Sequence, residues 1–338
     1  MSTIEDRVAA IDCGTNSIRL LVAEPDGRGG LRDVDRRMLI VRLGQGVDAT
    51  GSFADEALER TFAACDEYAA VLREVGAQRL RFCATSAARD ADNGDVFAAG
   101  VQDRLGVWPE VVTGDDEAAL SYDGATRDLD TAAHPPPYLV VDIGGGSTEF
   151  VLGDGHGQVR SAESVDIGSV RITERHLRGD PPSPAEIERA GADVDAALDR
   201  LHVPLEQART LVGVAGTITT VAAMVLDLPA YDPARIHLSR VGIDGVSEAH
   251  RRLLAMTRDE RRALGFMHPG RADVIGGGAL ILDRVARRVA SGLQRPEVLV
   301  SEHDILDGIA WSLLTPGGDA SRFPAAPPGE STPHGRGM

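Results

Sequence analysis

Two segments of the chain share one plan of apolar and polar positions. Residues 7–23 (RVAAIDCGTNSIRLLVA) and residues 138–153 (YLVVDIGGGSTEFVLG) each place a cluster of small polar residues between two short apolar runs. This pattern predicts a β-hairpin in each segment. A shift of 130 residues superimposes Asp12 on Asp142 without a gap. An internal repeat at this spacing predicts two halves with similar folds.

The rest of the chain alternates between strand and helix patterns. In the first half, strands are predicted at 38–43, 79–85 and 107–113. Three helices are predicted there: one over 55–75, one that ends at 101 and one that begins at 115. In the second half, strands are predicted at 210–216 and 297–301, and helices near 184–202, through 226, at 247–256 and at 272–291. Trp108 and Trp311 are predicted to lie in the core. This alternation is typical of an α/β fold.

The segment RDLDTAAHPPP (residues 127–137) separates the two halves. Its three consecutive prolines cannot continue a helix or join a sheet ladder. We therefore predict a first domain at 1–128 and a second domain at 138–302. Residues 315–338 are dominated by proline, glycine and small polar residues. Because such a segment has little apolar surface to bury, it is predicted to be a disordered tail.

Composition and charge exclude several classes of function. The 338 residues include 35 basic and 52 acidic side chains, a formal net charge of −17, whereas a general nucleic-acid binder would be basic. All the basic residues are arginines, so the lysine of a Walker A loop or of a Schiff-base enzyme is missing. The three cysteines form no CxxC pair, the N-terminus carries acids where a signal peptide carries bases, and no apolar run is long enough for a membrane span. These features predict a cytoplasmic protein that contacts neither membrane nor nucleic acid.

The two Gly- and Ser-rich turns are candidate phosphate-binding elements. Residues without bulky side chains let backbone N–H groups approach an anion closely, although a glycine cluster between strands often forms only a hairpin. Asp12 and Asp142 precede the turns, where a carboxylate is suited to hold a hydrated divalent cation. Glu149 lies across the second turn and predicts a metal site with Asp142, the alternative being an exposed strand residue. In the first repeat Arg19 takes the place of Glu149.

Three further segments contain candidate residues. Glu117 follows two acids at a predicted helix start, and like charges there would raise its pKa, which suits a general base. Arg89 follows a strand end and is a candidate for a bidentate phosphate contact, or is simply a surface arginine. Gly216 and Thr217 form a third strand-to-helix turn that could hold a phosphate or a nucleotide. Arg271 precedes a run of three glycines, for which close packing is the favoured explanation.

These motifs, in this order along residues 7–314, resemble the exopolyphosphatase and guanosine pentaphosphate phosphohydrolase family. The resemblance is carried by the segments AIDCGTNSIRLLVA, CATSAARDADN, TGDDEAALSYDGA, YLVVDIGGGSTEFVLG, VGVAGTITTV and GRADVIGGGALIL. It implies two ribonuclease-H-like domains of the actin, sugar-kinase and chaperone-ATPase superfamily, which face each other across a cleft. It also implies that a helix at 303–314 returns to pack on the first domain.

The same resemblance implies a phosphoanhydride hydrolase. Family members remove the terminal phosphate of inorganic polyphosphate, and some remove the 5′ γ-phosphate of guanosine pentaphosphate. Glu117 would correspond to the catalytic base, and Asp142 and Glu149 to ligands of Mg²⁺ or Mn²⁺. The residues that would contact phosphate are Gly14, Asn16, Ser17, Arg89, Gly145, Gly146, Ser147 and Thr148. A homodimer is the family expectation.

Two other functions stay open at this point. An actin-like ATP switch would use nucleotide binding to open and close the cleft. A sugar or acetate kinase would use the VAGTITT turn to hold adenosine. Both alternatives require tight binding of ATP, so titrations with ATP and with long polyphosphate separate them from a polyphosphate hydrolase.

Overall fold

The first half of the chain forms a mixed sheet with helices around it. The computed structural model describes residues 7–27, 30–155, 157–314 and 321–322, so most of the predicted tail lies outside the described residues. The strands of this sheet are β1 (Val8–Cys13), β2 (Ser17–Pro25), β3 (Leu31–Ile40), β4 (Arg79–Ala84) and β5 (Glu110–Val111). Neighbours β1, β2 and β3 are antiparallel, whereas β4 is parallel to β1 and β5 is parallel to β4. The helices are α1 (Val47–Thr50), α2 (Asp55–Val75), α3 (Ser86–Asp90), α4 (Gly94–Leu105) and α5 (Gly114–Thr126).

The second half repeats this plan. Its strands are β6 (Tyr138–Ile143), β7 (Thr148–Gly153), β8 (Val159–Val165), β9 (Thr210–Val214), β10 (Arg240–Gly242) and β11 (Glu297–Val300). Neighbouring strands in this sheet follow the order β8-β7-β6-β9-β11. This order corresponds strand by strand, with the same parallel and antiparallel pairings, to β3-β2-β1-β4-β5 of the first sheet. Strand β10 adds an antiparallel strand beside β11. The repeated order confirms the prediction of two ribonuclease-H-like sheets in an α/β fold.

The remaining elements cover the second sheet and return to the first. The helices are α6 (Ser169–His176), α7 (Pro184–Asp199), α8 (Ala215–Val225), α9 (Pro233–Ile236), α10 (Ile243–Ala255), α11 (Arg258–Arg262), α12 (Ile275–Val289) and α13 (Ile305–Leu314). Short 3₁₀ turns occupy Leu205–Gln207 and Pro269–Arg271. The last described strand, β12 (Ser321–Arg322), pairs with β4. No helix in the described ranges combines the length and the apolar character needed to cross a bilayer.

The central strands are buried on both faces. Every residue of β1 (VAAIDC) and of β6 (YLVVDI) is buried, as expected for strands that have neighbours on both edges and helices on both sides. In β1, Ala9 and Ile11 belong to the core formed with α2 and α4, whereas Val8 and Ala10 belong to the core formed with α13. Helix α13 thus packs on the face of the first sheet that carries Val8 and Ala10.

Helices α5 and α13 lie between the two sheets and touch through glycines. Tyr122 of α5 shares a core with Val140 of the second sheet. A Cβ on Gly124 would lie 1.9 Å from the carbonyl oxygen of Asp304, so the two backbones are in direct contact there. The start of α5 is thereby held close to the hairpin of the second sheet, and the start of α13 is held close to the hairpin of the first sheet.

Two strand predictions differ from the structure. The strand predicted at 38–43 is β3, which spans Leu31–Ile40 and so begins and ends earlier than predicted. Of the predicted strand 107–113, only Glu110–Val111 pairs with β4. Trp108 was therefore placed wrongly in the core: it is 64% exposed, because no sheet face covers this connection. Trp311 is half-buried, and the guanidinium of Arg127 lies 4.5 Å from the centroid of its ring.

Candidate active site

The two Gly- and Ser-rich turns have the same hydrogen-bonded form. In the first, the N–H of Gly14 donates to the carbonyl oxygen of Ser17 at 2.9 Å. In the second, the N–H of Gly144 donates to the carbonyl oxygen of Ser147 at 3.1 Å. The repeat detected in the sequence is therefore a repeat of local backbone structure.

The turns contact each other at the mouth of a cleft. A Cβ on Gly145 would lie 2.8 Å from Thr15 Cβ, and one on Gly146 would lie 2.5 Å from Ser86 Oγ. Only glycine permits so close an approach. Within the described ranges, the N–H groups of Thr15, Asn16 and Gly145 donate to no backbone carbonyl. They are available to an anion that enters between the turns.

An ion pair balances the charge of the first hairpin. Asp12 and Arg19 lie opposite each other in the β1-β2 ladder, and the Nε and Nη2 of Arg19 donate to Asp12 Oδ2 at 2.9 and 2.7 Å. Nη1 of Arg19 donates to Asp304, which lies just before α13. Burial raises the pKa of Asp12, and Arg19 opposes this shift. The first hairpin thus carries its own cation.

Two carboxylates occupy the matching positions of the second hairpin. Asp142 and Glu149 lie opposite each other in the β6-β7 ladder and are 6% and 1% exposed, so the exposed alternative for Glu149 is wrong. Ser121 donates to Asp142 at 2.6 Å, and Ser164 donates to Glu149 at 2.8 Å. Burial raises the pKa of Asp142 to about 7. Burial and the nearby carboxylates, first that of Glu117, raise the pKa of Glu149 well above its usual range.

Glu117 lies in the first turn of α5 and is buried beside the second hairpin. Thr113 caps this helix, because its Oγ1 accepts the N–H of Asp116 at 3.1 Å. Arg89 Nη1 donates to Glu117 Oε2 at 2.7 Å. Burial is the main cause that raises the pKa of Glu117 to about 7, and the charge of Asp142 adds to it. A carboxylate with this pKa can exchange a proton near neutral pH.

The cause of the raised pKa differs from the one inferred from the sequence. The neighbouring acids Asp115 and Asp116 are exposed and point into solvent at the helix start. Glu117 is only 8% exposed, and it is desolvation together with carboxylates distant in sequence that shifts its pKa. The direction of the shift was predicted, but its origin is tertiary.

The second hairpin has donors suited to a divalent cation. Mg²⁺ is commonly held by one or two protein carboxylates, with water and substrate phosphate completing its shell. Asp142 and Glu149 form no ion pair with an arginine or histidine in the part of the chain that the structure describes. In that same part, no group of three or more His, Cys, Asp or Glu side chains is arranged to hold a metal ion. Two buried carboxylates without a counterion nevertheless fit a magnesium site of this open kind.

Arg271 also lines the cleft, beside the third strand-to-helix turn. Arg271 forms no ion pair with the described residues, and its Nη2 contacts Met38 Sδ at 3.1 Å. A Cβ on Gly216 would lie 2.1 Å from Arg271 Cζ, so Gly216 makes room for the guanidinium. Burial lowers the pKa of Arg271. Packing, the explanation favoured from the sequence, gives this half-buried guanidinium no carboxylate partner within the described ranges.

Most of the predicted residues line this one cleft. The lining residues come from the two hairpins, from α5, from the third turn and from the segment before α12: Asp12, Gly14, Asn16, Ser17, Arg19, Glu117, Asp142, Gly145, Ser147, Gly216, Thr217 and Arg271. The sequence repeat and the third turn therefore converge on one space, although they are far apart along the chain.

Four predicted residues lie behind the lining. Arg89 and Glu149 contact or neighbour the lining acids. Gly146 backs onto Ser86. The hydroxyl of Thr148 donates to the carbonyl oxygen of Ile167, a buried residue, at 2.6 Å. The direct phosphate contacts assigned to Arg89, Gly146 and Thr148 remain predictions.

Sequence reasoning missed several polar residues of the site. Thr15 Oγ1 and Ser86 Oγ lie 3.0 Å apart where the turns meet, and Ser169 also lines the cleft. Thr15 lies within the first turn and could have been identified from its place in the CGTNS cluster. Asp304 lies 285 residues from Arg19 along the chain, and its only local signal is an aspartate before an apolar helix. That signal indicates a helix cap and not a contact with the first hairpin.

Comparisons with known proteins agree with this architecture. The family model of the Ppx/GppA phosphatases matches residues 21–313. The chain is 53% identical over 317 residues to Exopolyphosphatase 2 of Mycobacterium tuberculosis, covering 91% of this chain and 98% of that protein. It is 30% identical over 223 residues to a guanosine-5′-triphosphate,3′-diphosphate pyrophosphatase of Photobacterium profundum, covering 64% and 43%. The crystal structure of an exopolyphosphatase-like protein is 45% identical, with a TM-score of 0.86 and coverage of 90% and 98%.

Proposed function

The chain belongs to the Ppx/GppA phosphatase family, and from that premise we propose that it is an exopolyphosphatase. It hydrolyses the terminal phosphoanhydride bond of inorganic polyphosphate and releases orthophosphate. The identity of 53% to Exopolyphosphatase 2, over nearly the whole of both chains, supports this substrate. The observation that carries the proposal is the cleft itself: a buried carboxylate with a pKa of about 7 beside two facing turns with free N–H groups.

The terminal phosphate lies between the two turns. The N–H groups of Thr15, Asn16 and Gly145 donate to its oxygens, and the hydroxyls of Ser17 and Ser147 line the same space. Backbone amides in fixed turns stabilise anionic oxygens without having to reorganise. This arrangement holds the phosphorus atom and leaves one side of it open to water.

Glu117 is the general base. Its carboxylate takes a proton from water as the water oxygen attacks the phosphorus and the bridging P–O bond breaks, so the shortened chain leaves with the electron pair on its oxygen. Arg89 holds Glu117 through the contact of 2.7 Å and fixes the direction of its free oxygen. The remaining nitrogens of Arg89 are left to contact the phosphate.

Positive charge in the cleft comes from two sources. Asp142 and Glu149 would hold Mg²⁺ or Mn²⁺, which when bound would offset charge on the anhydride oxygens. Arg271, which has no carboxylate partner in the described ranges, also donates to phosphate. Such local cations are needed because the net charge of −17 repels a polyanion at long range.

A second candidate, hydrolysis of guanosine pentaphosphate, is favoured by one feature of the cleft. Beside Arg271 the cleft opens into a cavity whose lining combines the large side chains of Met38, Tyr231, Phe266 and Met267 with charged ones such as Arg36. A polyphosphate chain has no part that would pack against these large side chains, whereas a nucleoside has. The relative of Photobacterium profundum carries a name with this substrate.

Phosphate release from one preparation tests these proposals. Tripolyphosphate, long-chain polyphosphate, guanosine pentaphosphate and ATP are compared at saturating magnesium, with an EDTA-treated sample as the control. The proposal requires higher kcat/KM for polyphosphate than for either nucleotide. Faster turnover of guanosine pentaphosphate would transfer the function to the second candidate, and tight ATP binding without hydrolysis would favour a nucleotide switch. A cytoplasmic location and a homodimer remain predictions from the sequence.

A further inference from the structure

The carbonyl groups of the second turn are bound by the start of α6. Backbone N–H groups of this helix donate to the carbonyl oxygens of Gly144 and Gly145, each at 2.9 Å. The next carbonyl, that of Gly146, is bound by a side chain, because Arg171 Nε donates to it at 2.7 Å. Three successive carbonyls therefore face α6, and the last one depends on a guanidinium.

The direction of the Gly146 carbonyl fixes the direction of the next N–H group. The peptide bond between Gly146 and Ser147 is trans. In a planar trans peptide, the C=O of one residue and the N–H of the following residue point in opposite directions, so the bond to Arg171 turns the N–H of Ser147 away from α6. Ser147 lines the cleft, and this N–H donates to no backbone carbonyl within the ranges that the structure describes. It is a further amide available to a phosphate oxygen between the turns.

The first turn holds the matching carbonyl with backbone donors. Asn16 takes the place of Gly146 in the repeat. Its carbonyl oxygen accepts the N–H groups of Val41 at 3.1 Å and of Arg42 at 2.9 Å. Both donors follow β3 and belong to the same half as the turn. The second turn uses the side chain of Arg171 instead, so a change in the position of this side chain changes the direction of an amide in the cleft.

The guanidinium of Arg171 is anchored on the first half of the chain. Its Nη1 donates to Asp48 Oδ1 on α1 and its Nη2 donates to Asp90 Oδ2 at the end of α3, each at 2.5 Å. The side chain is only 11% exposed. Because a guanidinium is planar and presents its donors in fixed directions, the two carboxylates orient Nε toward the carbonyl of Gly146. One side chain thus joins the contact between the halves to the orientation of the second turn.

We propose that Arg171 is a positioning residue for hydrolysis: it aims the amide of Ser147 at the terminal phosphate, and Asp48 and Asp90 act through it. The inference rests on the proposed function, because that function places the phosphate between the turns. Amides in a fixed orientation stabilise anionic oxygens without reorganising during the reaction. The second turn has this fixed orientation when both halves of the chain contact Arg171, so the first half controls a donor that belongs to the second.

The test separates kcat from KM in variants of Arg171, with phosphate release from tripolyphosphate as the assay. Arg171→Met should lower kcat about 10²-fold, the lower end of the effect of losing one donor to a developing anion. KM should change much less, because the other amides still bind the substrate before the reaction. Arg171→Lys should recover part of the lost kcat, since an ammonium can donate to the Gly146 carbonyl but lacks the fork that holds both carboxylates.

Arg175→Met is the matched control. Arg175 lies on the same helix, and its Nε and Nη2 each donate to Asp48 at 2.7 Å, so it also joins the two halves. Within the described ranges it donates to no carbonyl of the second turn. We therefore expect Arg175→Met to keep kcat within a few-fold of wild type. Asp90→Asn should lower kcat in the wild type and have no further effect in Arg171→Met, because changes that act through one residue are not additive.

Each outcome decides for or against the positioning role. Wild-type kcat in Arg171→Met, or an equal loss of kcat in Arg175→Met, overturns it while polyphosphate hydrolysis by the wild type leaves the proposed function in place. Where thermal denaturation shows that Arg171→Met does not fold, Arg171→Lys decides: kcat below that of Arg175→Met supports the role, and equal kcat overturns it. If the wild type hydrolyses guanosine pentaphosphate and not polyphosphate, the proposed function fails and the same variants test Arg171 on that substrate. A wild type that releases phosphate from neither overturns both.

Discussion

The two hairpins share a backbone and differ in the balance of their charges. In the first, Asp12 faces Arg19 across the ladder, and the same guanidinium also binds the acid that precedes α13. In the second, Asp142 faces Glu149, and Glu117 at the start of α5 adds a third carboxylate. Each hairpin is therefore approached by an acid from one of the two helices between the sheets. In the first hairpin the cation that meets this acid, Arg19, belongs to the hairpin itself, whereas Glu117 is paired with Arg89, which lies outside the second hairpin.

This difference shows how reactive carboxylates can be confined to one of two repeated halves of a fold. An arginine beside a buried carboxylate lowers the pKa of that carboxylate, whereas buried carboxylates that face each other raise one another's pKa values and attract a cation from outside. At this position of the repeat, Arg19 in the first hairpin corresponds to Glu149 in the second. The charge of the first hairpin is balanced by its own arginine, whereas the carboxylates of the second hairpin form the proposed metal site.

The largest effect is expected at Glu117, the acid that α5 places beside the second hairpin. Glu117→Gln should lower kcat for phosphate release by about 10²- to 10⁴-fold, the usual contribution of a general base. Asp115→Asn, an exposed acid in the same helical turn, is the matched control and should retain activity. The thermal midpoints of both variants should stay close to wild type. Turnover by Glu117→Gln within a few-fold of the control would remove Glu117 from the mechanism.

Loss of Arg19, the cation of the first hairpin, should lower the stability of the protein. Arg19→Met leaves Asp12 and Asp304 buried without a partner and should lower the free energy of unfolding by about 3–5 kcal/mol, as measured by urea denaturation. Arg251→Met breaks an exposed ion pair with Glu248 and should change it little. Equal effects of the two variants would mean that the first hairpin does not depend on internal neutralisation.

The carboxylates at the second hairpin should make the stability of the protein depend on pH. The folded-state pKa values of Glu117 and Asp142 are raised to about 7 from usual values of 4.5 and 3.8, so the folded protein binds more protons than the unfolded chain between these limits. The stability of metal-free protein should therefore fall as pH rises from about 4 to about 7. Asp142→Asn should flatten this slope, and added magnesium should restore stability at alkaline pH more in wild type than in the variant. Stability that rises through this window in metal-free protein would contradict the charge imbalance.

The smallest effect concerns the contact between the turns. Gly145→Ala places a Cβ 2.8 Å from Thr15 Cβ and should cost about 1–3 kcal/mol through overpacking. The nearest atom to a Cβ on Gly14 is 3.7 Å away, so Gly14→Ala should have almost no effect on the thermal midpoint. A Gly145→Ala protein as stable as Gly14→Ala would show that the turns separate easily.

Local sequence signals were sufficient for the architecture and for most of the cleft. The alternation of apolar residues around small-residue turns identified both hairpins, because strand and turn preferences depend on neighbouring residues. The strand at 107–113 was overestimated for the same reason, since apolar composition does not reveal how much of a segment pairs with β4. Thr15 was missed inside a motif that had been recognised, whereas Asp304 had no local signal of its contact with the first hairpin.

What the sequence by itself determined is the repeat: two hairpins, their glycines and the acids that flank them, all of which follow from residues close together in the chain. Only the tertiary structure decided which acids are neutralised. Arg19 gains Asp304 from the far end of the chain, and Glu117 is buried against a second hairpin that lies beyond the proline-rich connection. Burial and ion pairing depend on contacts between distant residues, so the charge state of a carboxylate is set by the fold and not by its neighbours in sequence.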